Sequence, residues 1–365
     1  MAIYVHVPFC RSKCAYCDFY SMPRKDLADR YVGSVAREMQ LRAVENGSIP
    51  DTIYIGGGTP SQLTDKQFVR LMSALPAPLA GAEVTVEVNP DDVTDGLVAV
   101  WGACGVNRVS MGVQSMVDAE LSLIGRRHTA ADVEKAYLKI RDGGISNISL
   151  DLIYGLPGQT VSTWQYSLDR LLALNPEHIS AYMLSYEPGT RLWAMRASGK
   201  ITETDEDTEL EMYRRLCRTT DRAGYEHYEI SNFALPGRRA VHNSSYWQGK
   251  PYLGLGPGAH SWDGTMRRYN PTSLKKYIDT LESGRCFCET EAESAADRTN
   301  NLTMVSLRRR EGLDTSLIPE CYRDEFAHNL SHISPHLIQI NHNGVTIPEE
   351  HWPVSDAIIR ELFVE

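Results

Sequence analysis

The chain has 365 residues, 42% of them hydrophobic and 23% charged, with a formal net charge of −10. This is the make-up of a folded globular protein of about two domains, one of them long enough for a barrel of about 250 residues, and it excludes disorder and low-complexity architecture. The negative balance lacks the positive field that phosphate-backbone binding relies on, so no nucleic-acid partner is expected; with no apolar run near the ~20 residues of a membrane span and no secretory leader, a cytosolic (cytoplasmic) location is expected.

In chain order, the first predicted strand is IYVHV (3–7), which runs straight into a loop holding Cys10, Cys14 and Cys17. A helix is predicted next, with Tyr31, Val35 and Met39 beside Val32, Ala36 and Ala43. TIYIG (52–56) leads into Gly56-Gly57-Gly58-Thr59-Pro60, EVTVEV (83–88) contains Glu87 and leads into Asn89-Pro90, RVSMGV (108–113) leads into Gln114, and ISLDLI (148–153) carries Asp151. A helix over 161–174 presents Trp164, Leu168, Leu171 and Leu172 on one face, followed by the strand HISAYML (178–184). The acidic run ETDEDTELE (203–211) is expected to open a solvated helix, since carboxylates are favourable in a first turn.

This βα alternation fits a parallel (β/α) barrel and equally a doubly wound open sheet, and spacing alone does not separate them. In a barrel, the polar and glycine-rich strand ends would all face one mouth. After a stretch rich in glycine and aromatics around 240–270, residues 300–365 show a helix-like NNLTMVSLRRR, a hairpin centred on Asn343-Gly344 and a closing helical DAIIRELF. Helix plus hairpin predicts a small winged-helix-like α+β domain, read as structural given the net charge. The expected division is 1–235 for the barrel, 236–295 for a connecting region and 296–365 for the C-terminal domain.

Eight cysteines in a reducing compartment stay thiols, and Cys104, Cys217, Cys286, Cys288 and Cys321 are expected to be small buried apolar residues. Cys10, Cys14 and Cys17 are different, because C-x3-C-x2-C follows directly on a strand. A structural zinc site wants four ligands, with His6 the nearby fourth, and this is not a usual zinc spacing. Electron-transfer [4Fe–4S] clusters also use four cysteines. Three would leave one iron open for chemistry.

The loop resembles the cluster-binding loop of the radical S-adenosylmethionine superfamily, with Tyr16 as the aromatic before the last cysteine. The resemblance implies a partial parallel (β/α) barrel of radical SAM (TIM-like) type and a [4Fe–4S] cluster on Cys10, Cys14 and Cys17, whose open iron chelates S-adenosylmethionine. The form GGGTP is similar to that of the oxygen-independent coproporphyrinogen III oxidase-like branch, and in that branch Tyr4, Tyr16, Gly57, Gly58, Thr59, Glu87, Gln114, Arg126 and Asp151 would contact S-adenosylmethionine. Carboxylates, an amide and a cation suit a zwitterion bearing a sulfonium and a ribose.

Two activities share this branch: the oxidase, which decarboxylates coproporphyrinogen III by radical chemistry, and a group of heme chaperones, which bind heme and hand it on. The strand beginning at about Ile3, without the oxidase's N-terminal arm, favours the chaperone. So does His242-Asn243-Ser244-Ser245-Tyr246-Trp247, which resembles the chaperone signature. It implies His242 as heme iron ligand, with Asn243, Tyr246 and Trp247 around the porphyrin and His260 as a second candidate ligand. The implied partners are heme, heme-accepting proteins such as respiratory membrane enzymes, an electron donor to the cluster and, for a heme shared between two chains, a second copy. No catalytic residue is assigned, and use of the radical is left open. The transfer RNA-modifying radical enzymes are disfavoured by the lack of a second cysteine trio or a basic domain.

Overall fold

The computed structural model describes all residues except 24, 43–48, 287 and 342–343. Ala43, Asn343 and the Phe287 between Cys286 and Cys288 therefore lie outside the described residues. Six parallel strands, β1 (Ala2–Val7), β2 (Thr52–Gly57), β3 (Glu83–Val88), β4 (Arg108–Gln114), β5 (Asn147–Tyr154) and β6 (His178–Met183), pair in sequential order. A doubly wound sheet would reverse its order at a switch point. The sequential order and the lack of any β1–β6 pairing among the described residues give the partial barrel that was expected.

Side-chain alternation explains the layering. Ile3, Val5, Ile53, Ile55, Val84, Val86, Val109, Met111, Ile148 and Leu150 are fully or nearly fully buried and form one core with helix residues such as Tyr31, Phe68, Trp101, Tyr137 and Trp164. The intervening residues, among them Tyr4, Tyr54, Thr85, Arg108, Ser110, Ser149 and His178, are polar and occupy the other face, the barrel interior. Four of the crossover helices start on a threonine, Thr64, Thr94, Thr129 or Thr160, whose hydroxyl accepts a first-turn backbone N–H. The acidic run does open a helix, Glu206–Arg222, capped by Asp205.

Short strands extend both edges. β7 (Glu226–Glu229) and β8 (Asn232–Ala234) follow β6, while β9 (Tyr252–Leu255) pairs parallel with β1 and continues through β10 (His260–Trp262), β11 (Met266–Tyr269) and β12 (Glu289–Ala292). Near the C-terminus, the helices Ala295–Leu307, Arg323–His332 and Ser355–Arg360 pack around a second sheet. That sheet is made of β13 (Leu313–Asp314), β14 (Gln339–Asn341) and β15 (Gly344–Thr346), ordered β13-β15-β14, which is the helix-plus-hairpin pattern expected there. Among the described residues no helix is long and apolar enough to cross a membrane. One expectation fails: none of the five scattered cysteines is fully buried, Cys104, Cys217 and Cys288 being half-buried and Cys286 and Cys321 exposed, the last two because they sit in loop and turn segments at the surface.

A buried carboxylate ties the β9 side to the barrel. Glu38, in the helix Ala28–Leu41 and 1% exposed, accepts from Gly256 N at 2.9 Å, Asn270 Nδ2 at 2.7 Å and Tyr277 OH at 2.6 Å, with Arg42 Nη1 at 3.3 Å. Removing one member of a buried pair leaves the other charge unmatched, at a cost of about 3–5 kcal/mol. Glu38→Ala should lower the unfolding free energy measured by urea titration by an amount of that order; a change within about 0.5 kcal/mol would show that the network does not carry the β9 attachment.

Candidate functional site

The cysteine loop leaves the C-terminal end of β1 and is fastened at several points. Cys10 N donates to Met22 O at 3.0 Å and Met22 N to Pro8 O at 2.8 Å, closing its base. Ala15 N donates to Ile124 O at 2.8 Å and Leu192 N to Ala15 O at 2.8 Å, and the Ala15 methyl plugs a small separate core with Ile124, Ile153, Leu156, Leu184 and Leu192. The loop is thus seated on a dry platform at the mouth.

The glycines of the second strand end are required by this seating. Gly57 has φ +106°, and a Cβ there would lie 2.5 Å from the His6 ring; one on Gly58 would lie 2.8 Å from the Phe9 carbonyl oxygen. Gly58 N also donates to Val7 O at 2.8 Å. The GGGTP segment therefore packs directly against the base of the cysteine loop.

A hydrogen-bond chain then links the loop to two further strand ends. Cys10 Sγ lies 3.4 Å from Thr59 Oγ1, which accepts from Asn89 Nδ2 at 3.1 Å. Arg126 Nη2 donates to Asn89 Oδ1 at 2.7 Å and to Gly112 O at 2.5 Å, and Arg126 Nη1 reaches Cys14 Sγ at 3.4 Å. Asn89, named in the sequence only as part of the polar end of the third strand and given no role of its own, is the central member. Its only sequence signal was its place before Pro90 at the end of β3.

The other expected residues gather nearby. Glu87 accepts from Tyr54 OH at 2.8 Å and Gly57 N at 3.0 Å. The Tyr4 hydroxyl is 3.1 Å from His6 Nδ1, and His6 Nε2 donates to Tyr20 O at 2.9 Å, so both nitrogens of His6 are engaged within β1 and the loop. Gln114 adopts φ +69° at a bulge in the β4–β5 pairing, a conformation that a non-glycine residue holds only when its surroundings impose it. Asp151 accepts from Ser110 Oγ at 2.9 Å and Ser149 Oγ at 3.2 Å.

Electrostatically the mouth is a desolvated acidic and thiol site. Burial, then the neighbouring thiols, pushes Cys17 up to about 11, and burial raises the Tyr16 phenol despite the Arg126 charge. Burial likewise raises Asp151. Arg126 Nε is buried and has no hydrogen-bond partner among the described residues. Three thiols sharing an enclosed loop, an unspent guanidinium donor and two buried carboxyls are a donor set that fits a cationic metal cluster and a zwitterionic ligand beside it.

His242 lies at the opposite end of the barrel. It belongs to the helix Val241–Trp247, whose first N–H groups, from Val241 and His242, donate to the two Glu83 carboxylate oxygens at 3.0 and 2.9 Å. Its ring is 1% exposed, with Nδ1 2.8 Å from Thr52 Oγ1 and Nε2 2.8 Å from Tyr246 OH. Thr52 and Glu83 are the first residues of their strands, whereas Gly57 ends β2, so the His242 helix lies at the strand starts, with the Tyr54 ring, 5.0 Å from the His242 ring, standing between it and Glu87. Burial, with the Arg108 charge, lowers His242 to about 3 and keeps the imidazole neutral. Trp247 packs edge-on to Tyr228 and Asn243 is half-buried. His260 is exposed on β10, edge-on to Tyr269.

Against the outer side of this helix lies a cavity of about 600 Å³. Thr52 and Ser245 form its wall toward His242, Tyr252, Trp262 and Met266 give it apolar surface, and Lys250 and Arg268 stand among its lining residues. Sequence reasoning had no access to it, because its lining comes from β1, β2, the 241–247 helix and β9–β11 at once.

The radical SAM superfamily model matches residues 4–171. The heme chaperone HemW of Bacillus subtilis is 34% identical over 379 aligned residues, covering 98% of this chain and 99% of the relative. Radical S-adenosyl methionine domain-containing protein 1, mitochondrial, of Mus musculus is 37% identical over 264 residues, covering 71% of this chain and 60% of the relative. Among solved structures, coproporphyrinogen III oxidase HemN of Escherichia coli, a radical SAM enzyme, matches with a TM-score of 0.86 at 25% identity, covering 100% of this chain and 90% of that one.

The buried Glu87 gives a pH test. Burial, reinforced by the Asp151 charge and opposed by the Tyr54 and Gly57 hydrogen bonds, raises it to about 7. A carboxyl raised in the folded state binds its proton more tightly than the unfolded chain does. Its contribution is full below an unfolded value of ~4.3 and disappears as pH rises through the folded one. Between about pH 5 and about pH 8 the wild type should lose on the order of 2–3 kcal/mol relative to Glu87→Gln in urea unfolding; a difference that does not change with pH would refute the assignment.

Proposed function

The chain belongs to the radical S-adenosylmethionine superfamily and, within it, to the family of the HemW relatives, and from that premise we propose that it is a heme chaperone that binds heme and passes it to acceptor proteins. The observation that carries this reading is the match of 98% of the chain to a relative named as a heme chaperone, at 34% identity. The likeness to coproporphyrinogen III oxidase keeps a decarboxylating oxidase as the second reading.

On this reading Cys10, Cys14 and Cys17 hold a [4Fe–4S] cluster, and Tyr4, Tyr16, Gly57, Gly58, Thr59, Glu87, Gln114, Arg126 and Asp151 surround S-adenosylmethionine. When both are bound, the cluster supplies the electron for reducing the sulfonium. The chain's own work there is positional. Thr59, Asn89 and Arg126 brace the cysteine loop from two other strand ends, Glu87 and Asp151 present buried carboxyls, and the Ala15 platform keeps water from beneath the loop.

Heme is assigned to the cavity beside the Val241–Trp247 helix. A volume of about 600 Å³ lies within the ~300–1,000 Å³ of ligand pockets, aromatic and thioether walls suit a flat macrocycle, and Lys250 with Arg268 suits its two carboxylates. His242 stands one layer behind the wall, in the neutral form that ligates iron, and exchanges its Tyr246 or Thr52 hydrogen bond to do so. The acceptor protein, the electron donor and any heme shared between two copies belong to this proposal as partners, and the chain is divided at residues 235 and 295 as the sequence suggests.

Heme titration of the cluster-loaded chain tests the site. Lys250→Glu, on an exposed side chain, should weaken heme binding about tenfold, ~1.4 kcal/mol, with the cluster absorbance unchanged; unaltered affinity would move heme out of the cavity. His242→Ala should weaken it as well, and an unchanged affinity there would remove His242 as ligand while leaving the cavity to the first variant. The chaperone reading itself fails if the anaerobically reconstituted protein, with reductant and S-adenosylmethionine, converts coproporphyrinogen III to protoporphyrinogen IX at enzyme-like rates.

A further inference from the structure

Away from both ends of the barrel, three side chains from distant parts of the sequence converge. Cys217 comes from the helix Glu206–Arg222, His227 from β7, and Glu349 from the short helical turn that begins the last segment of the C-terminal unit. One ligand atom of each lies within 4.8 Å of the other two. The imidazole is fixed between Phe233, stacked at 4.0 Å, and Trp352, edge-on at 4.3 Å, so its two nitrogens have defined directions.

Those directions matter. His227 Nε2 lies 3.3 Å from Ile230 O, and Nδ1 lies 2.7 Å from Glu349 Oε1 and 3.8 Å from Cys217 Sγ. With protons in place, the ring N–H at Nδ1 and the Cys217 S–H both donate to the Glu349 carboxylate. A shift of the ring proton to Nε2, toward Ile230 O, and loss of the thiol proton turn the same three atoms into lone-pair donors for one cation. An imidazole whose far N–H is anchored on a backbone carbonyl is also the usual arrangement of a metal-bound histidine.

We propose that Cys217, His227 and Glu349 bind a borderline-soft divalent cation of the zinc class, with one position left for water. Zinc bonds of ~2.3 Å to sulfur and ~2.0 Å to nitrogen or oxygen place tetrahedral ligand atoms ~3.3–3.6 Å apart. Cys217 and His227 stand near that separation, and Glu349, whose side chain is 54% exposed, has freedom to withdraw by the remaining ~0.6 Å. On binding, the Cys217 thiol gives up its proton to solvent and the thiolate joins the ion; nothing is oxidised or reduced. The ion joins the barrel's β7 edge to the C-terminal unit, where Ile230 N already donates to Arg308 O at 3.1 Å. The site is independent of the heme reading and uses none of its residues.

The test uses full-length, cluster-loaded protein given one equivalent of Zn²⁺ and desalted, with metal analysis and zinc-edge X-ray absorption, which does not see iron. The expected result is about one zinc per chain with one sulfur at ~2.3 Å and nitrogen or oxygen neighbours at ~2.0 Å. Cys217→Ser should lose the sulfur signal, and Glu349→Gln, on a half-exposed side chain, should weaken zinc binding at least tenfold with iron content unchanged. No retained zinc in the wild type, zinc without a sulfur neighbour, a sulfur signal that survives Cys217→Ser, or unchanged affinity in Glu349→Gln would each overturn the proposal.

Discussion

One buried guanidinium organises the inside of this barrel. Arg108, the first residue of β4 and 2% exposed, lies 3.8 Å from Glu83, and its field bears on Glu87 and Asp151 above it and on His178 and His242 beside it. A parallel barrel whose interior were filled with branched apolar layers would need no such charge. This interior is lined with hydroxyls, carboxyls and imidazoles instead, and an ionised group so deep is tolerable only with opposite charge close by. Arg108 offsets the carboxyls, and the same positive field, added to burial, holds both histidines neutral. Glu83, fixed in turn, holds the first N–H groups of the helix Val241–Trp247, so the charge at the floor also places the motif that closes it.

The two ends of the barrel are built by different physics. At the mouth, the chain must hold a loop of three thiols open, and it does so with backbone hydrogen bonds to Met22, Ile124 and Leu192, a dry platform under Ala15, and side-chain bonds running from Thr59 through Asn89 to Arg126. At the floor, aromatic packing dominates: Tyr54 and Tyr246 each lie 5.0 Å from the His242 ring, while His178, bonded to the Tyr228 hydroxyl at 2.7 Å, closes the next sector. Polar side chains spaced along the same six strands serve both ends, since every second residue of each strand faces inward.

Much of this was legible because period-2 apolar strands and strand-end glycines are local signals. All six barrel strands, the helix over residue 164, the acidic helix start and the C-terminal hairpin strands fall where the pattern puts them. The edge strands β7 to β12 did not show, being three or four residues long and mixed in polarity, too short for alternation to register. The strand ends at the mouth were legible from the pattern, but individual roles there came only through resemblance, which gave none to Asn89. The position of His242 shows the same limit. Its motif is plain in the sequence, yet that it faces Thr52 and Glu83, with both ring nitrogens engaged, depends on a helix crossing the floor 190 residues after Thr52.

That placement bears on the proposed reading of a radical scaffold as a carrier. Chemistry begun at an open iron acts on atoms in contact with the ligand beside it, and near-attack distances are about 3–3.5 Å. With heme in the cavity outside the Val241–Trp247 helix, as proposed, the layer of Tyr54, Arg108 and His242 stands between the macrocycle and the cysteine loop, and no residue of that loop is among the cavity's lining residues. Glu87 and Asp151 at the top of the interior and Glu83 at its bottom, which holds the helix walling the cavity, all lie in the field of the one guanidinium of Arg108.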